Sequence, residues 1–107
     1  MILILKYIIP KGFVGLAFFP FIVLKRKELK TDVVLINHEK IHLRQQLELL
    51  LVLFYLLYIA EWMVKVCWYR STSLAYKNLS FEREAYAHEH DLYYLETRKP
   101  WAFIAYL

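Results

Sequence analysis

A run of twelve consecutive apolar residues, positions 49–60, constrains the fold of this chain more than any other feature. The run lies inside a longer helical pattern that contains no Gly or Pro from residue 37 to residue 69. The sequence therefore predicts one long helix in this region, with Asn37 as the residue that caps its N-terminus. Twelve residues are fewer than the ~20 that a helix needs to cross a membrane, and extension to residue 69 includes Glu61 and Lys65.

Two interpretations of this apolar helix, at about residues 47–69, are open. It can be the buried core helix of a small domain, or it can be embedded in a membrane, with Glu61 and Lys65 paired or extended to the interface. The composition favours the membrane, because 60% of the 107 residues are hydrophobic and a chain of this length buries a limited core. We therefore expect a membrane-associated protein that is integral through this one helix. Basic residues flank both of its ends, so the pattern does not define an orientation.

Cysteine and charge counts exclude several classes of protein. The single cysteine, Cys67, allows no internal disulfide and no zinc site built from pairs of cysteines. The net charge is +4, the one basic run is residues 25–27, and no nucleic-acid-binding motif accompanies it. We therefore expect membrane lipid, and not nucleic acid, among the partners. Nothing in the sequence indicates an oligomeric state.

The N-terminal part of the chain is predicted to form strands. Residues 13–24 are apolar and rich in strand-favouring side chains, which predicts one or two short strands. Pro20 cannot donate a hydrogen bond to a sheet, so a strand that contains it should lie at a sheet edge. Such an edge could bind an extended peptide as an added strand.

The C-terminal part is predicted to supply a second helix. A polar loop over residues 70–79 leads to Ser80, a suitable N-cap, and the helix should end before Pro100. The apolar tail, residues 101–107, is expected to pack back on the domain. The predicted fold is a single α+β domain, mainly helical, with a short N-terminal strand or hairpin followed by the two helices.

Chemistry is indicated by His38-Glu39-Lys40-Ile41-His42, an H-E-x-x-H motif at the start of the predicted long helix. Residues at positions i and i+4 share one helix face, so both imidazoles can reach one metal ion. Glu39 lies off that face and is better placed to act as a general base toward a water molecule at the metal. The pattern is typical of a catalytic Zn²⁺ site, which also needs a third protein ligand.

A candidate for that ligand is Glu84, in the segment Glu84-Ala85-Tyr86-Ala87-His88 of the second helix. H-E-x-x-H followed by a helical segment that opens with Glu and Ala resembles the gluzincin metallopeptidases, although only two short segments carry the resemblance. The resemblance implies a small zincin-like domain that hydrolyses peptide bonds in a peptide or protein substrate. It also implies that His38, His42 and Glu84 bind Zn²⁺ and that Glu39 is the general base.

The resemblance leaves alternatives at two positions. Many gluzincins carry an Asp four residues after the ligand Glu, where this chain has His88, so His88 or Asp91 would have to orient the first ligand histidine. Small membrane-embedded peptidases of the same clan have an E-x-x-A-D segment, and that alignment makes Glu82 the third ligand. The closer match of E-A-Y-A favours Glu84, with Glu82 as the second choice.

Three functional hypotheses follow from these patterns. The first is a membrane-associated zinc peptidase, which Glu39 favours because a structural metal site needs only ligands. The second is a non-enzymatic, membrane-associated helical protein with a structural or vestigial metal site. The third, a histidine-box or di-iron oxidase, is disfavoured by the four histidines and by the single clear Glu-x-x-His pair, Glu39 to His42.

Overall fold

The computed structural model describes residues 1–107 and shows a three-stranded sheet packed against helices. The mainly helical α+β class predicted from the sequence is confirmed. The strands are β1 (Ile2–Ile4), β2 (Gly15–Phe18) and β3 (Phe21–Leu24). The helices are α1 (Val33–Glu48), α2 (Val52–Tyr69), α3 (Thr72–Lys77), α4 (Ser80–His88) and α5 (Tyr94–Thr97), with 3₁₀ helices at Lys27–Thr31 and Ala102–Tyr106.

The sheet has the order β1-β3-β2, so β3 is its central strand. β3 pairs in parallel with β1 and antiparallel with β2. The strands predicted over residues 13–24 are present as the β2–β3 hairpin, but Pro20 lies in the connecting turn and not within an edge strand. The edge strand that faces the helices is β2, which packs on α1.

α1 begins earlier than the sequence pattern predicts. Asp32, and not Asn37, caps the helix, because its carboxylate accepts a hydrogen bond from the backbone N–H of Leu35 at 3.1 Å. Asn37 is buried, and its amide donates to the carbonyl oxygens of Glu89 and Asp91. The prediction failed here because two residues with good N-cap side chains lie five positions apart, and only tertiary contacts distinguish them. The early start places the H-E-x-x-H residues inside the helix, where i and i+4 geometry is regular.

The single long helix predicted through residue 69 is interrupted between α1 and α2. Leu50 and Leu51 have positive φ angles of 54° and 49°. Such a conformation costs about 1–3 kcal/mol for a residue other than Gly, so packing must offset it. Leu49 and Phe54, on either side of the break, both pack into one buried cluster around Phe81. In a straight helix residues five apart point about 140° away from each other, so the break lets both side chains reach this cluster.

The C-terminal half contains more, and shorter, helices than predicted. The segment 70–79, predicted as a loop, contains α3, whose N-terminus is capped by the side chain of Ser71. α4 begins at Ser80, within one residue of the predicted start, but Leu79 and not Ser80 is its N-cap residue, and the helix ends at His88, far before Pro100.

Two contacts fix the chain beyond α4. The amide of Asn37 binds the main-chain carbonyls of the turn that follows α4, as described above, and so stabilises the end of that helix. The apolar tail packs back on the domain as predicted, since Phe103 is buried with its ring centroid 4.6 Å from that of Phe81.

α2 is not the buried core helix that one interpretation predicted. By length and composition its 18 residues could cross a membrane, with a mean hydropathy of 1.4, and only 6% of them are buried. One such helix is weak support for a membrane protein, because helices of soluble proteins can meet the same criterion.

Candidate metal centre

Three buried side chains from two helices converge on one point. Nε2 of His38 and Nε2 of His42 lie 3.2 Å apart. Oε1 of Glu82 lies 3.3 Å from the first nitrogen and 3.1 Å from the second. Each of the three residues is no more than 6% exposed. The three atoms therefore form a nearly equilateral triangle, and together these residues could hold a metal ion.

The size of this triangle fits a tetrahedral ion. Ligands at about 2.0–2.1 Å from Zn²⁺ in a tetrahedral site are about 3.3 Å apart. The observed edges of 3.1–3.3 Å match one face of such a tetrahedron and leave its fourth corner free of protein ligands. Three protein ligands with one open position is the arrangement of catalytic zinc sites.

Local structure explains why the side chains of His38, His42 and Glu82 are oriented toward one another. His38 and His42 are one helical turn apart on α1, so their rings project from the same face. Glu82 lies in the first turn of α4, and the hydroxyl of Tyr58 from α2 donates to its Oε2 at 2.8 Å. This bond occupies Oε2 and leaves Oε1 directed at the histidines.

The other ring nitrogen of each histidine has its own partner. Nδ1 of His42 lies 2.8 Å from Oε1 of Gln45, and Nδ1 of His38 lies 3.4 Å from Oε1 of Glu89. Acceptors at Nδ1 favour the tautomer that carries its proton there, and they leave the Nε2 lone pair for a metal.

The charges of Glu82 and His42 compensate each other. Burial alone would raise the pKa of the Glu82 carboxyl, but the charges and hydrogen bonds of His42 and His38 hold it well below its usual range. Burial alone would lower the pKa of His42, but Glu82 raises it to about 9. In the metal-free protein a protonated His42 thus supplies the positive charge that the carboxylate needs.

Glu39 lies beside this group and not in it. It is 6% exposed and lines the same cavity as the two histidines. Burial raises the pKa of its carboxyl, and the neighbouring charges of His42 and His38 counter part of that effect. A Cβ atom at Gly15 would lie 3.6 Å from Oε2 of Glu39, so the edge of β2 passes close to this carboxylate.

The cavity next to the centre is largely apolar and has a volume of about 300 Å³. One wall is the β2 strand, a second is the inner face of α2, and Glu39 and the ligand atoms form its polar end. Its apolar and aromatic lining includes Phe13, Leu16, Ala17, Phe54, Tyr55 and Tyr76. The cavity can hold an apolar group beside the three candidate metal ligands.

The expectation that Glu84 lies beside the histidines is wrong, and the structure places the second choice, Glu82, there. Residues two apart on a helix point about 160° away from each other, so only one of these carboxylates can face the histidines. Glu84 is fully buried elsewhere, where its Oε1 lies 3.0 Å from Nη2 of Arg98 and its Oε2 accepts the hydroxyl of Tyr94 at 2.7 Å.

The two residues expected to orient the first histidine also lie elsewhere. His88 contacts the hydroxyl of Tyr106 at 2.6 Å and stacks on Tyr94, and the Asp91 carboxylate accepts a backbone N–H of its own turn. The position next to His38 is taken by Glu89. α4 ends at His88, so the residues after it do not continue the helical spacing on which the prediction depended.

Sequence reasoning also missed three residues of the site. Gln45 follows His42 at i+3 on the same face of α1, a spacing that could have identified it. Tyr58 and Tyr76 reach the site from α2 and α3, and no local pattern links them to the motif.

No protein-family model matches the chain, and no similar protein was found among curated proteins or among solved structures. The metal-binding interpretation therefore depends on one structural feature, the group formed by His38, His42 and Glu82.

Proposed function

We propose that this protein is a zinc-dependent peptidase that acts at a membrane surface. The observation that carries the proposal is the triangle of His38, His42 and Glu82 ligand atoms with Glu39 beside it. A structural metal site has no need for an additional buried carboxylate that is not a ligand. A hydrolytic site does, because the attacking water must lose a proton.

The roles of the residues follow from their positions. His38, His42 and Glu82 would hold Zn²⁺ in an open tetrahedral site. Bound there, the ion would lower the pKa of a water molecule and polarise the carbonyl of the substrate. Glu39 accepts the proton of the attacking water and can then donate it to the leaving amine.

The substrate would bind along β2. This strand pairs with β3 on one side only. On its other side Gln46 and Tyr55 already bind the carbonyl of Ala17, so the free part of the edge is the Gly15 end, next to Glu39. A short extended peptide could add there by main-chain hydrogen bonds, with an apolar side chain in the cavity. We therefore expect the cleaved segment to be extended and apolar.

Membrane association is supported by the distribution of side chains on α2, whose polar residues face the domain and whose apolar residues face outward. The side chains that face the domain include the polar ones: Tyr58 bonds Glu82, Glu61 bonds Ser80 and Lys65 bonds the carbonyl of Asn78. The outward side carries no charged residue over the whole helix. Its exposed residues are Val52, Leu53, Leu56, Leu57, Ile59, Ala60, Met63, Val64, Cys67, Trp68 and Tyr69. A face of this kind suits lipid.

We further infer that α2 lies along the membrane surface and does not cross it. α3 packs against α2 and exposes Thr72, Ser73 and Lys77. Because α3 runs back along α2, with the carbonyl of Asn78 bound by Lys65, the exposed Lys77 would lie below the bilayer surface if α2 crossed it. With the helix parallel to the surface, its outer face enters lipid while α3 stays in water.

The test of the peptidase proposal is metal analysis combined with cleavage assays on detergent-purified protein. We expect about one Zn²⁺ per chain in the wild type, retention of the metal but loss of peptide cleavage in Glu39→Gln, and loss of the metal in Glu82→Ala. Glu96→Ala, which removes an exposed carboxylate on α5, is the control and should retain the metal. Absence of any bound metal after reconstitution with Zn²⁺ at neutral pH would rule out the proposal. Iron in place of zinc, or cleavage that survives Glu39→Gln, would rule out the mechanism.

A further inference from the structure

Behind His42 a row of buried polar side chains extends to the C-terminal segment. Nδ1 of His42 contacts Oε1 of Gln45 at 2.8 Å, and Nε2 of Gln45 donates to Oε1 of Glu84 at 2.9 Å. Arg98 binds both oxygens of Glu84. Gln45 and Glu84 have no exposed surface, and Arg98 is 8% exposed. The row connects α1, α4 and the segment after α5 to one ligand histidine.

The surroundings of Gln45 determine which way its amide points. Its Nε2 faces two acceptors, the carboxylate of Glu84 and the main-chain carbonyl of Phe81 at 3.1 Å. Rotation of the amide by 180° would direct its oxygen at both acceptors, so two hydrogen bonds would be replaced by contacts between oxygen atoms, which is costly in a buried site. Oε1 of Gln45 must therefore face His42, and since it can only accept, Nδ1 of His42 must donate.

Glu84 is itself held in place by charge. Arg98 forms a two-point contact with it, Tyr94 donates to its Oε2 at 2.7 Å, and Arg98 also binds Glu48 at 2.8 Å. A buried ion pair gives little net stability compared with apolar packing, but it can define a single arrangement of side chains. Here it supplies a fixed acceptor for the Gln45 amide.

We propose that Gln45 and Glu84 are positioning residues of the metal centre: Glu84 fixes the amide of Gln45, and Gln45 holds His42 with its Nδ1 protonated and its Nε2 free to bind metal. Neither Gln45 nor Glu84 supplies one of the three ligand atoms, so both act on the metal centre through His42. The inference depends on the metal centre of the proposed function, but it does not depend on peptidase activity.

The first test compares two neighbouring substitutions, Gln45→Leu and Gln46→Leu. Gln46 is also buried and makes hydrogen bonds to Ala17 in β2 and to Phe19 in the turn that follows, but none to His42, so it is a matched control for loss of a buried amide. We expect Gln45→Leu to weaken Zn²⁺ binding by about 10–100-fold, measured by competition with a chelating dye. Gln46→Leu should lower the melting temperature while leaving Zn²⁺ affinity within about threefold of the wild type, since the ligands keep their support. Equal Zn²⁺ affinity in Gln45→Leu and the wild type would overturn the proposal.

Two further measurements test the role of Glu84 and the protonation of His42, and the second of them uses only the wild type. In a double-mutant cycle, Glu84→Gln should weaken Zn²⁺ binding in the wild-type background and have no further effect in Gln45→Leu. In the Zn²⁺-loaded wild type, ¹⁵N NMR should show metal at Nε2 of His42 and a proton at Nδ1 that exchanges slowly with water. Additive effects in the cycle, or metal bound at Nδ1, would contradict the inference. A wild type that binds no Zn²⁺ would instead remove the proposed function.

Discussion

Oε1 of Glu82 lies 3.1 Å from Nε2 of His42, although the two residues are 40 positions apart in the chain. This contact joins the first turn of α4 to the middle of α1 and completes the ligand triangle. It depends on a residue from a third helix, since Tyr58 of α2 occupies the other oxygen of the same carboxylate. The centre is therefore a product of the packing of three helices and not of the motif alone.

Removal of the Tyr58 hydroxyl should weaken metal binding. In Tyr58→Phe the Oε2 atom of Glu82 loses its donor, so the carboxylate can rotate away from the histidines. We expect Zn²⁺ affinity to fall by about 10-fold or more, measured by chelator competition. Tyr55→Phe, which removes a hydroxyl that binds the Ala17 carbonyl, is the control and should leave the affinity unchanged. Equal affinities in the two variants would mean that Tyr58 does not orient the ligand.

Loss of Arg98 should destabilise the whole domain. In Arg98→Met the carboxylates of Glu84 and Glu48 are left in a buried region without their cation. Removal of one partner of a buried ion pair typically costs about 3–5 kcal/mol, so we expect a large decrease in the urea concentration at the unfolding midpoint. Arg83 is exposed and donates to the main-chain oxygen of Tyr106, so Arg83→Met should cost about 1 kcal/mol or less. A similar small effect for both variants would show that the network carries little stability.

Metal should stabilise the folded protein. Because the ligands converge only in the folded chain, Zn²⁺ at 100 times its dissociation constant should add about 2.7 kcal/mol to the free energy of unfolding. The melting temperature measured with added Zn²⁺ should exceed that measured with a chelator, and Glu82→Ala should abolish the difference. A difference that persists in Glu82→Ala would place the metal elsewhere.

The metal-free protein should lose stability as the pH rises above neutrality. The folded-state pKa of His42 is raised to about 9 from about 6.5 in the unfolded chain. Its contribution is therefore complete below pH 6.5 and is lost as the pH rises through 9. The lowered pKa of Glu82 has the opposite effect, since its contribution is complete above the unfolded pKa and is lost in acid.

Melting temperatures of the chelator-treated protein across this pH range would check both signs. We expect a maximum between about pH 5 and 7, and the decline through pH 9 should be absent in His42→Gln. A melting temperature of the wild type that does not change from pH 6.5 to pH 10 would contradict the pairing of His42 with Glu82.

Charged substitutions on the outer face of α2 should release the protein from membranes. In Leu56→Glu and Val64→Glu a carboxylate would have to enter the hydrocarbon region, so we expect less protein to float with anionic lipid vesicles. Lys77→Glu, on the exposed side of α3, is the control and should retain most of its binding. If the wild type fails to float and forms a dimer that Leu56→Glu dissociates, the outer face contacts a second copy of the chain and not lipid.

Much of the fold follows from local patterns in the sequence. Residues 13–24 carry the strand-forming side chains of the hairpin, and Ser80 marks the start of α4. The spacing of His38 and His42 already requires both rings to project from one face of a helix. These features can be predicted from the sequence because they depend on hydrogen bonds and side-chain spacing within a few residues.

The break between α1 and α2 at Leu50 and Leu51 could not be predicted from the sequence, because neither residue favours a positive φ on its own. Packing of distant residues around Phe81 stabilises it. The end of α4 at His88 likewise has contacts from Asn37 in another helix.

The choice between Glu82 and Glu84 shows most clearly what sequence and tertiary structure each determined. The sequence determined that two carboxylates lie near the start of a helix and that two histidines share a helical face. The packing angle between α1 and α4 decided which carboxylate meets them, because Glu82 and Glu84 point in nearly opposite directions. Arg98, Tyr94 and Gln45 bind Glu84 on its side of the helix, and Tyr58 holds Glu82 on the other. Such partners come together only when the chain folds. Tertiary structure alone therefore places Glu82 in the candidate metal centre and Glu84 in the hydrogen-bond network behind it.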